Sequence, residues 1–167
     1  MTTTLISEPH VVREHHDRLV RWVDRLPELG ELIDSRDPAR VGPPLEEMCT
    51  FVRELLLQHI AASERVLYPE LERVMQNRHS MTPMRREHGQ IRTACDQLLT
   101  LKRTVDAGRF GTREQIALRR AVFRLYALLK VHLAEELLYA GIVEHGASAE
   151  DQQALALAME HPGISAL

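Results

Sequence analysis

Four stretches of the chain with helical periodicity each place a histidine on their apolar side, and the last carries a glutamate one turn after its histidine. The residues are His16, His59, His88, His132 and Glu136. A histidine or carboxylate that faces a helical core must be hydrogen-bonded, paired or metal-bound, because desolvating it alone costs several kcal/mol. Imidazoles and a carboxylate distributed over four helices therefore predict a metal site inside a helical bundle.

His132 and Glu136 form the clearest ligand pair in the sequence. Residues four apart on a helix differ by about 40° in projection, so both side chains can reach the same inward point. Imidazole nitrogen together with carboxylate oxygen suits iron, manganese or zinc. Cys49 and Cys95 have no ligand-like spacing, which argues against a closed structural zinc site. A lone core histidine is more often bonded to a backbone carbonyl, but the full set favours metal binding.

Apolar residues at steps of three and four predict the helices that would hold these residues. The first helix opens at Ser7, and the second opens at the Pro43-Pro44 pair and carries His59. Residues 27–44 are rich in helix breakers and read as a connection with at most a short helical turn at 31–35. Pro69 removes an amide from the second helix, so we expect a kink or a weakened turn there.

The third and fourth helices begin at Thr82 and Thr112. Four long amphipathic helices with short connections predict an all-α protein, an up-down-up-down four-helix bundle. We expect the bundle at about residues 8–146, a short fifth helix at about 149–160, and one domain that spans residues 1–167.

The net charge of −3 offers no electrostatic reason to expect binding to nucleic acid or to an anionic membrane. No apolar run approaches the length of a membrane span, and the N-terminal residues lack the basic and apolar regions of a signal peptide. Two cysteines are too few for a disulfide framework. We therefore expect a soluble, cytoplasmic protein that interacts with neither nucleic acid nor membrane.

Four short motifs carry a family resemblance over about residues 10–145. They are His16-Asp-Arg-Leu, His59 with the downstream Val66-Leu-Tyr-Pro69, Met84-Arg-Arg-Glu-His88, and His132-Leu-Ala-Glu-Glu136. In this order and spacing they resemble the hemerythrin-like, or HHE cation-binding, domain family. The resemblance implies a non-haem diiron centre bridged by oxygen and carboxylates, in proteins that bind dioxygen or nitric oxide or take part in iron and redox sensing. Matched position by position, the implied metal ligands are His16, His59, His88, His132 and Glu136.

The second helix departs from the family pattern, which places a bridging carboxylate four residues after its histidine. That residue is Ser63, a poor iron ligand, although a weak internal repeat relates it to Glu136. Glu64 lies one position later, about 140° around the helix from His59, so only a distorted turn would bring it to the metal. The resemblance therefore leaves two iron ions or one as alternatives.

The ligand of the first helix also has two candidates. His16 fits the apolar line of that helix better, whereas the likeness of Arg13-Glu-His15 to Arg86-Glu-His88 favours His15, and we prefer His16. Arg92 stands one turn beyond His88, where the oxygen carriers of the family have a further histidine. We therefore do not expect simple oxygen transport.

We expect a protein that holds non-haem iron and that binds or senses dioxygen, nitric oxide or iron itself. One alternative is an iron-dependent enzyme that consumes peroxide or nitric oxide, and another is a bundle whose metal site is degenerate. Tyr68 and Tyr139 are read as packing residues. The histidines read as surface groups are His10, His79, His145 and His161.

Overall fold

The computed structural model of the protein describes residues 10–146, and this part of the chain is helical apart from short turns. Its α-helices are α1 (His10–Val23), α2 (Leu26–Ile33), α3 (Pro38–Phe51), α4 (Leu57–Ala62), α5 (Tyr68–Val74), α6 (Thr82–Asp106) and α7 (Thr112–Gly146). Two π-helical turns, Val52–Leu56 and Ser63–Leu67, join α3, α4 and α5 into one continuous segment, the composite helix. The predicted all-α class is confirmed. The fifth helix predicted at 149–160 lies outside the described residues.

The segment 27–44, which was predicted to be a connection, instead contains most of α2 and the beginning of α3. The buried residues of α2 are Leu26, Leu29, Gly30 and Ile33. Gly30 lies against the ring of Phe123, and a Cβ atom at residue 30 would stand 2.6 Å from Phe123 Cε2. This glycine therefore permits a close contact inside the bundle and does not break the helix.

The composite helix begins at Pro38, which is earlier than the predicted start at Pro43-Pro44. The Asp37 side chain caps α3 by accepting a hydrogen bond of 3.0 Å from the Ala39 N–H. A proline inside a helix usually costs about 3 kcal/mol. The cap and the complete burial of Val41 stabilise the first part of this helix, which continues through the proline pair.

The weakened turn expected near Pro69 takes the form of a π turn. Proline has no N–H, so the carbonyl of Arg65 cannot receive the α-helical hydrogen bond from residue 69. The Tyr68 N–H bonds to the carbonyl of Ser63, five residues earlier in the chain. A π turn accommodates one extra residue and thereby changes which side chains face inward beyond it.

The apolar core consists of two clusters with a layer of buried polar residues between them. The larger cluster reaches Ile60 on the composite helix and Ile91 on α6, and the smaller one begins at Ala62 and Met84. His88 lies between Met84 and Ile91 along α6. The buried ionisable side chains are thus covered by apolar side chains on two sides, which excludes water from them.

Helix α7 is the structural centre of the described part of the chain, because it packs against α1, α2, α5 and α6. It can therefore present side chains to all the helices that carry candidate ligands. Although α7 has 35 residues, neither it nor any other helix within residues 10–146 is long and apolar enough to cross a membrane.

Candidate metal centre

The five predicted ligands converge in the polar layer between the two apolar clusters. Each side chain belongs to a residue that is at most 2% exposed. They form two groups, in each of which one potential ligand atom per residue lies within 4.8 Å of the others. The groups are His16, His59 and Glu136, and His88, His132 and Glu136. Glu136 belongs to both groups, so its carboxylate can serve two cations at once.

The two oxygens of Glu136 face different groups. Oε2 lies 3.0 Å from His16 Nε2 and 2.8 Å from His59 Nε2. Oε1 accepts a hydrogen bond of 2.9 Å from the Tyr68 hydroxyl, whose oxygen also lies 3.1 Å from His88 Nε2. The side of the layer with His16 and His59 is called the imidazole half below. The side with His88, His132 and Tyr68 is called the phenol half.

Tyr68 belongs to this candidate centre, although the sequence predicts only a packing role for it. Its side chain is fully buried in the layer. In a regular α-helix Tyr68 would lie about 180° around the axis from His59. The π turn absorbs one residue and reduces the separation to about 80°, so the ring turns inward. The signal for this in the sequence is Pro69, which weakens the turn before it.

The electrostatics of the layer favour protonation states that bind metals. Burial by itself would raise the pKa of the Glu136 carboxyl, but the imidazoles of His59 and His16 hold that pKa well below its usual range. Burial, reinforced by the neighbouring His132, lowers the pKa of His88 to about 4. At neutral pH the layer therefore presents a carboxylate and a neutral imidazole, which are the forms that coordinate a metal ion.

Carboxylates hold both histidines of the phenol half from their outer sides. His88 Nδ1 lies 3.0 Å from Glu64 Oε1, and His132 Nδ1 lies 3.0 Å from Glu87 Oε2. Arg92 donates to both oxygens of Glu64 at 2.8 Å and holds the pKa of that carboxyl below its usual value. Because an ionised carboxylate can only accept, each Nδ1 carries the proton and each Nε2 directs a lone pair inward.

Glu64, the alternative ligand on the second helix, therefore lies behind His88 and outside the inward-facing groups. Ser63 is fully buried, and its hydroxyl has no hydrogen-bond partner within residues 10–146. Neither residue supplies a carboxylate at the position where the family pattern has one. After His59, the composite helix directs the Tyr68 hydroxyl at Glu136 instead.

The imidazole half has a different arrangement behind it. His15 Nε2 lies 3.1 Å from His59 Nδ1, and Arg18 Nη2 donates to His15 Nδ1 at 3.2 Å. Burial, together with the neighbouring His59 and His16, lowers the pKa of His15 to about 4, so this imidazole is neutral. His15, the competitor of His16, is thus placed behind a candidate ligand, and His16 is the one in the inward-facing group.

Two imidazole nitrogens of the phenol half meet without a proton between them. His88 Nε2 and His132 Nε2 are 3.0 Å apart, although both rings have their proton on Nδ1. His59 Nε2 lies 2.8 Å from Glu136 Oε2 but lacks the alignment of a hydrogen bond. Buried polar atoms without partners are costly, and a cation between them would remove that cost. Imidazole nitrogen, carboxylate oxygen and phenol oxygen form a donor set that fits iron.

Other predicted surface and packing residues lie apart from these two groups. His79 is exposed, as predicted. Tyr139 packs against the smaller apolar cluster. The side chains of His10, His145 and His161 lie outside the described residues.

An all-helical fold with buried histidines around a shared carboxylate is the arrangement of a cation-binding helical bundle. The chain matches the family model described as Hemerythrin HHE cation binding domain over residues 8–137. The protein belongs to this family, and the resemblance inferred from its motifs is confirmed. Comparisons with curated proteins and with solved structures gave no significant match.

Proposed function

We propose that the protein binds two non-haem iron ions in the polar layer, with Glu136 shared between them. His16 and His59 would hold one ion, and His88, His132 and Tyr68 would hold the other. The observation that carries this proposal is that each oxygen of one buried carboxylate faces a separate group of buried potential ligand atoms. Membership of a cation-binding family supports it independently.

Tyr68 would supply the anionic oxygen that Ser63 cannot. Burial raises the pKa of the Tyr68 phenol, and the charge of Glu136 raises it further, so the hydroxyl keeps its proton in the metal-free protein. A bound cation reverses this balance, because its positive charge favours the deprotonated ligand. The phenol half would then hold a ferric ion with two imidazoles, one phenolate and one oxygen of Glu136.

We propose that the loaded protein binds or senses dioxygen or nitric oxide, with peroxide as a further small ligand, or senses iron itself. The bound iron would supply coordination positions and one-electron chemistry for these molecules. The chain supplies a layer whose ligands are at most 2% exposed and which is covered by apolar clusters on two sides. Such burial favours small neutral molecules over larger or charged ones.

One observation favours a second function, the iron-dependent consumption of peroxide or nitric oxide. The Tyr68 hydroxyl donates a hydrogen bond to the shared carboxylate inside the layer, so a proton can pass between the phenol oxygen and Glu136 beside the proposed metals. Peroxide consumption by the iron-loaded protein, compared with the iron-free protein, separates an enzyme from a binding protein.

Anaerobic loading with ferrous iron, followed by removal of unbound metal, tests the proposed function. We expect about two irons per chain by elemental analysis, one for each group of ligands. After exposure to air, the protein should absorb in the near-ultraviolet and visible ranges. A colourless protein that retains less than about a tenth of an iron per chain would refute metal binding and favour a degenerate site.

We also propose that the four long helical segments alternate in direction, as an up-down-up-down bundle does. Ion pairs between the composite helix and α6 support this. As the residue number rises along the composite helix, the number of the partner residue on α6 falls, so the two segments run in opposite directions. The pairs are Glu46 with Lys102, Glu64 with Arg92, and Glu72 with Arg85. On α1, His16 contacts Glu136 of α7, and Asp24, directly after α1, contacts Lys130 of α7, so these two segments again run in opposite directions.

A further inference from the structure

We propose that Arg18 and His15 control the occupancy of the imidazole half, so that the protein takes up its two metals in order and fills the phenol half first. This inference rests on the proposed function, because it concerns the relative affinities of the same two positions. It follows from the direction of the hydrogen bonds behind the histidines of each half.

The phenol half is arranged for a cation before one binds. His88 and His132 donate from Nδ1 to Glu64 and Glu87, so their Nε2 lone pairs already point inward. Carboxylates behind metal-binding imidazoles fix the ring orientation and make the imidazoles stronger donors. Glu87 also places negative charge near the incoming cation, whereas the charge of Glu64 is paired with Arg92.

The direction of the hydrogen bonds is reversed behind His59. A guanidinium can only donate, so Arg18 fixes His15 Nδ1 as an acceptor at 3.2 Å. Because His15 Nδ1 accepts, the ring carries its proton on Nε2 and donates it to His59 Nδ1 at 3.1 Å. Because His59 Nδ1 accepts in turn, that ring carries its proton on Nε2, the nitrogen that faces Glu136. In this state His59 offers no inward lone pair to a metal.

A metal in the imidazole half therefore requires this chain of hydrogen bonds to reverse. His59 must carry its proton on Nδ1 and donate to His15, whose own Nδ1 then carries a proton and no longer accepts from Arg18. Arg18 is exposed, so it has room to turn into solvent. Changes to the partner of a metal-binding histidine alter metal affinity by about 10–100-fold, and we expect a difference of that size between the halves.

The test is stepwise addition of ferrous iron to the metal-free protein without oxygen, followed by exposure to a chelator and elemental analysis. In the wild type, the second equivalent should leave about tenfold faster than the first, or faster still. Arg18→Leu should slow the loss of the second equivalent about tenfold and leave the first unchanged. Arg21→Leu, which removes another exposed arginine from α1, is the matched control and should change neither. Unchanged melting temperatures of the metal-free variants would show that both fold.

A second measurement identifies which half is filled first. Oxidation of protein that holds a single equivalent of iron should produce the visible band of a phenolate bound to ferric ion, because Tyr68 lies in the phenol half. Appearance of this band only with the second equivalent would overturn the proposed order. Equal retention of both equivalents in the wild type, or an Arg18→Leu protein that behaves like Arg21→Leu, would also overturn it. Failure of every variant to bind iron would instead overturn the proposed function, and this inference with it.

Discussion

Replacing Tyr68 with phenylalanine separates the role of the phenol as a structural hydrogen-bond donor from its role as a metal ligand. The substitution keeps the ring and its packing in the smaller apolar cluster but removes the hydroxyl. In the metal-free protein it deletes the hydrogen bond to Glu136. In the loaded protein it deletes the proposed anionic ligand of the phenol half.

The two effects have different magnitudes. A hydrogen bond to a charged group contributes about 1.5–3 kcal/mol, and a chain of this size loses roughly 2–4 °C of Tm per kcal/mol. The Tm of the metal-free Tyr68→Phe protein should therefore fall by roughly 3–12 °C. In the loaded protein the visible band of the phenolate bound to ferric ion should disappear, because no other tyrosine in the described part of the chain donates a hydrogen bond to Glu136. Iron should be lost from the phenol half at least about tenfold faster.

Three measurements on Tyr68→Phe and on Tyr126→Phe show whether the phenol of Tyr68 is a metal ligand, a structural hydrogen-bond donor, or both. They are thermal melting without metal, absorption after loading and oxidation, and iron retention against a chelator. Tyr126 packs against the larger apolar cluster, so its variant should keep the band and the iron of the wild type. A Tyr68→Phe protein that keeps both would show that the phenol is not a ligand. An unchanged Tm would show that its hydrogen bond to Glu136 contributes nothing to stability.

Three further predictions concern the shared carboxylate, the serine and the buried imidazoles. Glu136→Gln should abolish retention of both irons, because Glu136 belongs to both groups of candidate ligands. Glu135→Gln should preserve it, and equal iron contents of the two variants by elemental analysis would contradict this prediction. Ser63→Glu should destabilise the metal-free protein by burying a charge but slow the loss of iron to a chelator, and an unaltered rate would show that residue 63 does not face the metals. The metal-free protein should lose a few kcal/mol of stability as the pH falls from 6.5 towards 4, because the unfolded chain takes up protons that His88 and His15 do not bind when folded. Urea unfolding at about pH 7 and about pH 5 measures this loss, and equal free energies of unfolding would refute it.

The long helices could be predicted because their signal is local. Apolar residues at helical spacing, with Thr82 and Thr112 at the starts of α6 and α7, depend only on neighbours in the chain. Helix α2 escaped prediction because Gly30 and the nearby prolines read as breakers. The space beside Gly30 is filled by the ring of Phe123 from α7. A pattern of neighbouring residues cannot predict this contact, because Phe123 is distant in the sequence.

The inward-facing histidines could likewise be predicted from the apolar lines on which they lie. The groups behind them could not, because Glu64 and Glu87 contact histidines of neighbouring helices through tertiary packing. Tyr68 escaped for a different reason. Its direction depends on a departure from the α-helical repeat, and a pattern search that assumes a constant repeat assigns it to the opposite face.

The π turn at Ser63–Leu67 has a consequence for how this helix tolerates changes in length. A deletion within a helix normally rotates every later side chain by about 100° relative to the earlier ones. Here the turn already contains one residue more than an α-helix needs. Loss of the exposed Arg65 would let the π turn close into an α-helical turn with Tyr68 still about 80° from His59. Helix α6 is α-helical from Thr82 to Asp106 and has no surplus residue, so a deletion after His88 would rotate the rest of that helix by about 100° relative to His88.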